Sequence, residues 1–172
     1  MKRQLFLIRH AKSDWEDSSL SDFDRPLSAR GERDTPLMAE RLVAMDIKPD
    51  CMISSPAKRA RSTAEIIASR LGFPIHDIDW TTELYLASPT DMLDVIRNCP
   101  DHVTSLALIG HNPGISTLAA KLSGIVLGNI PTCGIVHLDA KLKTWNEAGS
   151  NFYISNFDYP KRKDKPDFAV NS

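Results

Sequence analysis

Apolar residues fall into two kinds of run along this chain. Leu5-Phe6-Leu7-Ile8 and Leu106-Ala107-Leu108-Ile109 are unbroken, the pattern of strands buried on both faces of a sheet. Cys51-Met52-Ile53 is a shorter run of the same kind. Cys133 to Leu138 predicts a fifth strand and Asn151 to Ser155 a candidate last one. Ile75 to Trp80 alternates apolar and polar and predicts a half-exposed edge strand. Between these runs the apolar period lengthens. Ala64, Ile67, Ala68 and Leu71 mark one face of a helix from Ala57 to Leu71, stopped by Gly72. Ile115, Leu118, Ala119 and Leu122 do the same from Gly114, ahead of Gly124. Ser88-Pro89-Thr90-Asp91 predicts a helix start, with an N-cap serine, proline at the first position and an acid in the first turn. That helix ends near Asn98, before Pro100. Ser28 is an N-cap for a helix reaching Met45. Pro36 interrupts it, because proline cannot donate to the helix ladder. Either the helix kinks there, or a short turn ends and a new start is capped by Asp34.

Strands alternating with helices imply an α/β sheet covered on both faces. With 172 residues and 42% hydrophobic positions, the chain has the makings of one domain with a sizeable core. We expect that domain over residues 1–158. Residues 159–172 mix lysine, arginine, aspartate and proline and are expected to be a disordered tail. A net charge of −1 advertises neither a nucleic acid nor a membrane partner. No apolar run approaches the ~18 residues of a membrane span, and the first strand is too short for a secretory signal. Three scattered cysteines without a C-x-x-C spacing fit reduced thiols in a cytoplasmic protein.

The chemistry gathers where the unbroken strands stop. Arg9-His10-Ala11 follows the first, and Gly110-His111-Asn112 follows the central one. Ligands of open parallel sheets bind just beyond the carboxyl ends of strands, so two histidines delivered there point to one site. Ser54-Ser55-Pro56-Ala57-Lys58-Arg59-Ala60-Arg61-Ser62-Thr63-Ala64 follows the short strand Cys51–Ile53. Asp24-Arg25-Pro26-Leu27-Ser28-Ala29-Arg30-Gly31 ends a long polar loop over 11–27.

These four segments, in this order, resemble the motifs of the histidine phosphatase (phosphoglycerate mutase-like) superfamily, and most nearly its small phosphohistidine phosphatases. The resemblance runs from Lys2 to Leu138. It implies a three-layer α/β/α sandwich with a mostly parallel central sheet. It also implies that His10 is transiently phosphorylated and that water then releases inorganic phosphate.

The residue types suit that chemistry. A neutral imidazole with one free ring nitrogen is a nucleophile toward phosphorus. Cations beside it disfavour imidazolium, so Arg9 and Arg59 would keep His10 neutral while binding the phosphoryl oxygens through planar forks. His111 would supply a further donor. Glu83 matches the position of the family's proton-donating acid, with Leu84 and Tyr85 as neighbours able to desolvate it; an ordinary loop acid is the competing reading. Ser13, Arg25 and Asn112 are candidate substrate-binding residues, Arg25 being read first as an ion-pair partner of Asp22 or Asp24. His76, His102 and His137 are expected at structural or surface positions. No third ligand stands at helical spacing from the loop histidines, and their neighbours are arginines, so no metal and no cofactor are expected.

The leading expectation is a metal-independent phosphatase removing phosphate from phosphohistidine in a protein. Its competitors are a phosphatase of small phosphomonoesters or sugar phosphates, a mutase, and a non-catalytic phospho-ligand binding module. The intact set of Arg9, His10, Arg59 and His111 argues against the last. The short connections from Ile53 to Ile75 and from Trp80 to Ser105 leave little chain for a lid, which a mutase needs to hold its intermediate.

Overall fold

The computed structural model describes residues 1–162. Six strands form one sheet: β1 (Lys2–Arg9), β2 (Cys51–Ser54), β3 (Asp79–Trp80), β4 (Ser105–Gly110), β5 (Ile135–Lys141) and β6 (Tyr153–Asp158). Their order is β3-β2-β4-β1-β5-β6. Strands β3, β2, β4 and β1 pair in parallel, whereas β5 runs antiparallel to both β1 and β6. The sheet is therefore mostly parallel, with a single reversed strand.

Four helices cover it: α1 (Ala29–Ala44), α2 (Lys58–Leu71), α3 (Pro89–Arg97) and α4 (Gly114–Ser123). The unbroken apolar runs serve both faces, because side chains alternate along a strand. Phe6, Ile8, Ala107 and Ile109 pack with Met38, Leu42, Ala64 and Ile67 of α1 and α2. Leu5, Leu7, Leu106 and Leu108 pack with Met92, Ile96, Ile115 and Leu118 of α3 and α4. This is a three-layer α/β/α sandwich.

Local signals set the helix ends. Ser28 Oγ accepts from the Gly31 amide at 3.1 Å, and Ser88 Oγ from the Asp91 amide at 3.1 Å. Gly72 and Gly124 close α2 and α4 in the left-handed conformation. Helix α1 is continuous through Pro36, with no second start at Asp34. Asp34 instead pairs with Arg30 one turn back, at 3.4 Å, and the Thr35 hydroxyl donates to the Gly31 carbonyl.

Three boundaries differ from the sequence reading. Ile75–Asp77 is a 3-10 turn, leaving only Asp79–Trp80 as an edge strand. Ile75 and Ile78 are three apart, the spacing of a tight turn, and only Ile78 is buried. Strand β5 begins at Ile135 because Cys133 turns the chain with φ of 60°. Strand β6 starts two residues later than expected, at Tyr153. Beyond β6, Arg41 of α1 donates to Asp158 and to the carbonyls of Tyr159 and Pro160. Of the segment expected as a tail, residues 159–162 are thus described, and 163–172 lie outside the described residues. No helix among the described residues is long and apolar enough to cross a membrane.

Candidate active site

Strands β1 and β4 end side by side, with Arg9 in register with Gly110. The chain beyond β1 is then pinned from both flanks. The His10 amide donates to the Gly110 carbonyl at 3.0 Å, and the His10 carbonyl accepts from the Cys133 amide at 3.1 Å. The Ala11 amide donates to Thr63 Oγ1, which itself donates to the Arg59 carbonyl. These bonds lock the first loop to the first turns of α2. The loop also crosses α1 where only glycine fits: a Cβ on Gly31 would stand 2.2 Å from the Lys12 carbonyl oxygen.

His10 is buried, and its Nδ1 lies 2.7 Å from the Ala11 carbonyl oxygen. A carbonyl only accepts, so Nδ1 carries the ring proton and Nε2 keeps its lone pair. Burial, with His111, Arg59 and Arg9 adding to it, pulls the His10 pKa down to about 3 against the opposing bond to Ala11. The imidazole is neutral at ordinary pH.

His111 stands beside it, with ring centroids 5.0 Å apart. Its Nε2 is 2.8 Å from Ser55 Oγ, just past the end of β2. Ser55 Oγ also accepts from the Ala57 amide at 3.3 Å, which leaves it one proton and one lone pair for His111 Nε2. Nδ1 of His111 is buried and without a partner among the described residues. Burial and then Arg59 lower the His111 pKa to about 4, with Asp22 opposing.

Arg9, Arg25 and Arg59 line the same cleft, of about 350 Å³, together with His10, His111, Ser13, Asn112, Lys12, Trp15, Asp22, Leu86 and Thr132. Arg9 donates through Nη1 to the Ile130 carbonyl at 2.7 Å, and its Nε is unpartnered among the described residues. Arg59 is buried, with Nη1 and Nη2 on the carbonyl and carboxylate of Asp22 and with an unpartnered Nε. Arg25 pairs with Asp22, as expected, and Asp24 takes the Ser21 hydroxyl instead. Arg25 also donates to Ser13 Oγ at 3.0 Å and stacks 3.3 Å over the Trp15 ring. Both readings of Arg25 therefore coexist, as an ion-pair partner and as a wall of the cleft.

Asn112 reaches the rim with its side chain already engaged. It donates to Asn129 Oδ1 and the Ile130 carbonyl, and accepts from the amide and hydroxyl of Ser116. It thereby fixes the carbonyl that Arg9 also uses.

Glu83 is not brought to this cleft. It sits in the 3-10 turn Thr82–Leu84, which turns Leu84 into the core and leaves Glu83 exposed. It lines a neighbouring groove with Asp91 and Asp94, so the expected desolvation by Leu84 and Tyr85 does not occur. Of the remaining histidines, His76 and His102 are exposed, and His137 is buried and stacked on Phe6. The three cysteines are free.

Ser55, Asp22, Tyr85 and Trp15 are members of the site that sequence reasoning passed over. Ser55 lay inside a recognised motif, and an isolated tryptophan in a polar loop was a visible signal for Trp15. Tyr85 had none, since its part depends on the approach of two loops. Among the described residues, no group of three or more histidine, cysteine or acidic side chains is placed to hold a metal ion.

This geometry has counterparts. The family model of the histidine phosphatase superfamily (branch 1) matches residues 5–92. An uncharacterised chloroplastic protein of Arabidopsis thaliana is 32% identical over 157 residues, covering 86% of this chain and 71% of its own. An uncharacterised protein of Mycobacterium tuberculosis is 36% identical over 118 residues, covering 69% of this chain and 71% of its own. Among solved structures, a protein of Agrobacterium tumefaciens assigned as the phosphohistidine phosphatase SixA superposes with a TM-score of 0.79. It is 27% identical, over 92% of this chain and 98% of that one. The chain belongs to the histidine phosphatase superfamily, branch 1.

Proposed function

We propose that this protein is a metal-independent phosphatase that works through a phosphohistidine formed on His10 and removes phosphate from phosphohistidine in proteins. The observation that carries the reading is the fixed tautomer of His10. Its proton is held on Nδ1 by Ala11, and its pKa is too low for imidazolium to form at neutral pH. Nε2 attacks phosphorus, the bond from phosphorus to the substrate's ring nitrogen breaks, and the leaving ring takes the electron pair, departing as neutral imidazole from a substrate protonated on its other ring nitrogen. Water then attacks the new phosphohistidine, releasing inorganic phosphate and returning His10 to its neutral form. Arg9, Arg25 and Arg59 supply positive charge to the phosphoryl oxygens, and His111 a neutral N–H donor. Electrostatic positioning of this kind supplies most of the catalysis in phosphoryl transfer.

A protein substrate is favoured by the rim. Trp15 and Leu86 line the cleft, yet are 69% and 59% exposed, an apolar edge suited to a macromolecular surface. The resemblance in structure to the Agrobacterium protein supports the same substrate class. A second reading, hydrolysis of small phosphate esters, is favoured by the cleft volume, which falls in the range of roughly 300–1,000 Å³ typical of small-molecule sites. The test is a side-by-side turnover assay on a phosphohistidine-bearing protein, an aryl phosphate and a panel of sugar phosphates. Preference for the first by kcat/KM supports the reading; preference for a sugar phosphate replaces it with the second.

A further inference from the structure

The phosphate cleft contains a carboxylate that the reaction above does not use. Asp22 is the only acidic side chain among the described residues lining it. Arg59 commits both terminal nitrogens to this residue, Nη1 to its carbonyl at 2.6 Å and Nη2 to Oδ2 at 3.0 Å. Arg25 reaches Oδ1 through Nε at 3.3 Å and Nη2 at 3.0 Å. The Tyr85 hydroxyl donates to Oδ2. Tyr85 is itself held edge-on between Phe23 and His111, at centroid distances of 5.1 and 5.5 Å. The carboxylate is therefore fixed by the first loop, by α2 and by the turn after β3. Burial raises its pKa, but the bonds from Tyr85, Arg59 and Arg25 prevail and bring it to about 2, so it is ionised throughout the working range.

A fixed negative charge here has a selective consequence. One phosphoryl dianion still meets Arg9, Lys12, Arg25 and Arg59 against a single carboxylate. A leaving group that carries its own anion meets like charge at Asp22 and finds arginine donors already committed. A leaving group without an anionic substituent does not. We propose that Asp22 is a specificity-determining residue, excluding phosphate compounds whose leaving group carries an anionic substituent of its own, such as a carboxylate, and admitting those whose leaving group carries none, such as an imidazole. This rests on the phosphatase reading and narrows it to a substrate class.

The experiment compares kcat/KM on phosphoimidazole, p-nitrophenyl phosphate and 3-phosphoglycerate for the wild type and Asp22→Asn. The substitution is nearly isosteric at a half-exposed side chain, so the fold is retained. The expected result is a rise of about ten-fold or more in the ratio of 3-phosphoglycerate to p-nitrophenyl phosphate, with the ratio of phosphoimidazole to p-nitrophenyl phosphate little changed. Tyr85→Phe removes one tether but keeps the charge, and should leave the ratio as low as in the wild type. If all three substrates scale by one common factor in Asp22→Asn, the carboxylate is only scaffolding and the proposal is overturned. Complete loss of activity in a folded Asp22→Asn also overturns it, by making the group indispensable rather than selective. A wild type inactive on all three compounds is a different failure, that of the phosphatase reading on which the proposal stands.

Discussion

Ser55 Oγ lies 2.8 Å from His111 Nε2 while accepting the Ala57 amide. One hydroxyl thus orients the second histidine and holds the amide of Ala57, the residue just ahead of α2. Ser55→Ala should lose both effects. A missing hydrogen bond of this type costs about 1 kcal/mol of stability, readable as a lower urea midpoint with an unchanged m-value. Turnover should fall by about ten-fold, because the His111 ring loses the bond that orients it in the cleft. Restored stability without restored turnover in Ser55→Thr would separate the two effects.

His10→Ala should abolish turnover and leave the fold intact, since the ring lies past the end of β1 and its backbone bonds to Gly110 and Cys133 do not involve the side chain. Acid-labile label transferred from a phosphorylated substrate should appear on the wild type alone. Substantial turnover by the variant would remove His10 from the role of nucleophile.

The depressed histidine pKa values also link stability to acid. His10 at about 3 and His111 at about 4 take up protons in the unfolded chain, near pH 6.5, well before they do so in the folded one. Stability falls with falling pH wherever the unfolded state binds more protons. The contribution of these rings is thus fully present above pH 6.5 and is lost progressively as pH falls toward 4 and 3. Asp22, held near 2 against its usual 3.8, adds a loss confined to the range below 3.8. Melting curves from pH 7.5 to 4 should show Tm declining. The decline should be shallower in His10→Asn, which cannot titrate. Identical slopes would mean that His10 is solvated.

How much of this arrangement was legible in the chain depended on what each feature rests on. Strands β1 and β4 stood out because both faces are buried, leaving no polar residue to interrupt Leu5–Ile8 or Leu106–Ile109. Arg9, His10 and His111 were legible because strand ends put them at fixed offsets from those runs, and Arg59 because its segment resembles a family motif. Asp22 and Tyr85 were not, although both touch the site. Their place follows from 14–27 and 82–88 folding toward each other, which no local spacing records. The stretch from Ile75 misled for a local reason: with Pro74 fixing φ ahead of it, an alternation of apolar residues closed into a 3-10 turn.

Arg59→Lys should be poorly tolerated even though charge is conserved. The guanidinium holds the Asp22 carbonyl and carboxylate with two nitrogens and keeps Nε in the buried interior of the site. An ammonium has no fork to span these acceptors and the phosphoryl oxygens together. A fall of about 10²-fold or more in kcat is expected, measured with p-nitrophenyl phosphate. Near-wild-type rates would show that the fork is not used in the reaction.

Glu83 provides the contrast with which the carboxylates can be sorted. Its backbone amide is capped by Thr81 Oγ1, but its side chain is exposed and faces the groove shared with Asp91 and Asp94. A proton donor must stand within hydrogen-bond reach of the departing atom, directly or through one water, and the turn that buries Leu84 directs Glu83 elsewhere. Glu83→Gln should therefore leave kcat/KM within about two-fold on esters with good leaving groups, such as p-nitrophenyl phosphate, and equally on those with poor ones, such as phenyl phosphate. A proton donor would behave otherwise: its loss would slow the poor leaving group strongly and spare the good one. That selective loss, observed with the fold intact, would mean that the turn over 82–84 rearranges when substrate binds and carries Glu83 into the cleft. An unselective absence of effect leaves the proton of a poor leaving group to be supplied by water, by His111 or by the substrate's own phosphoryl group.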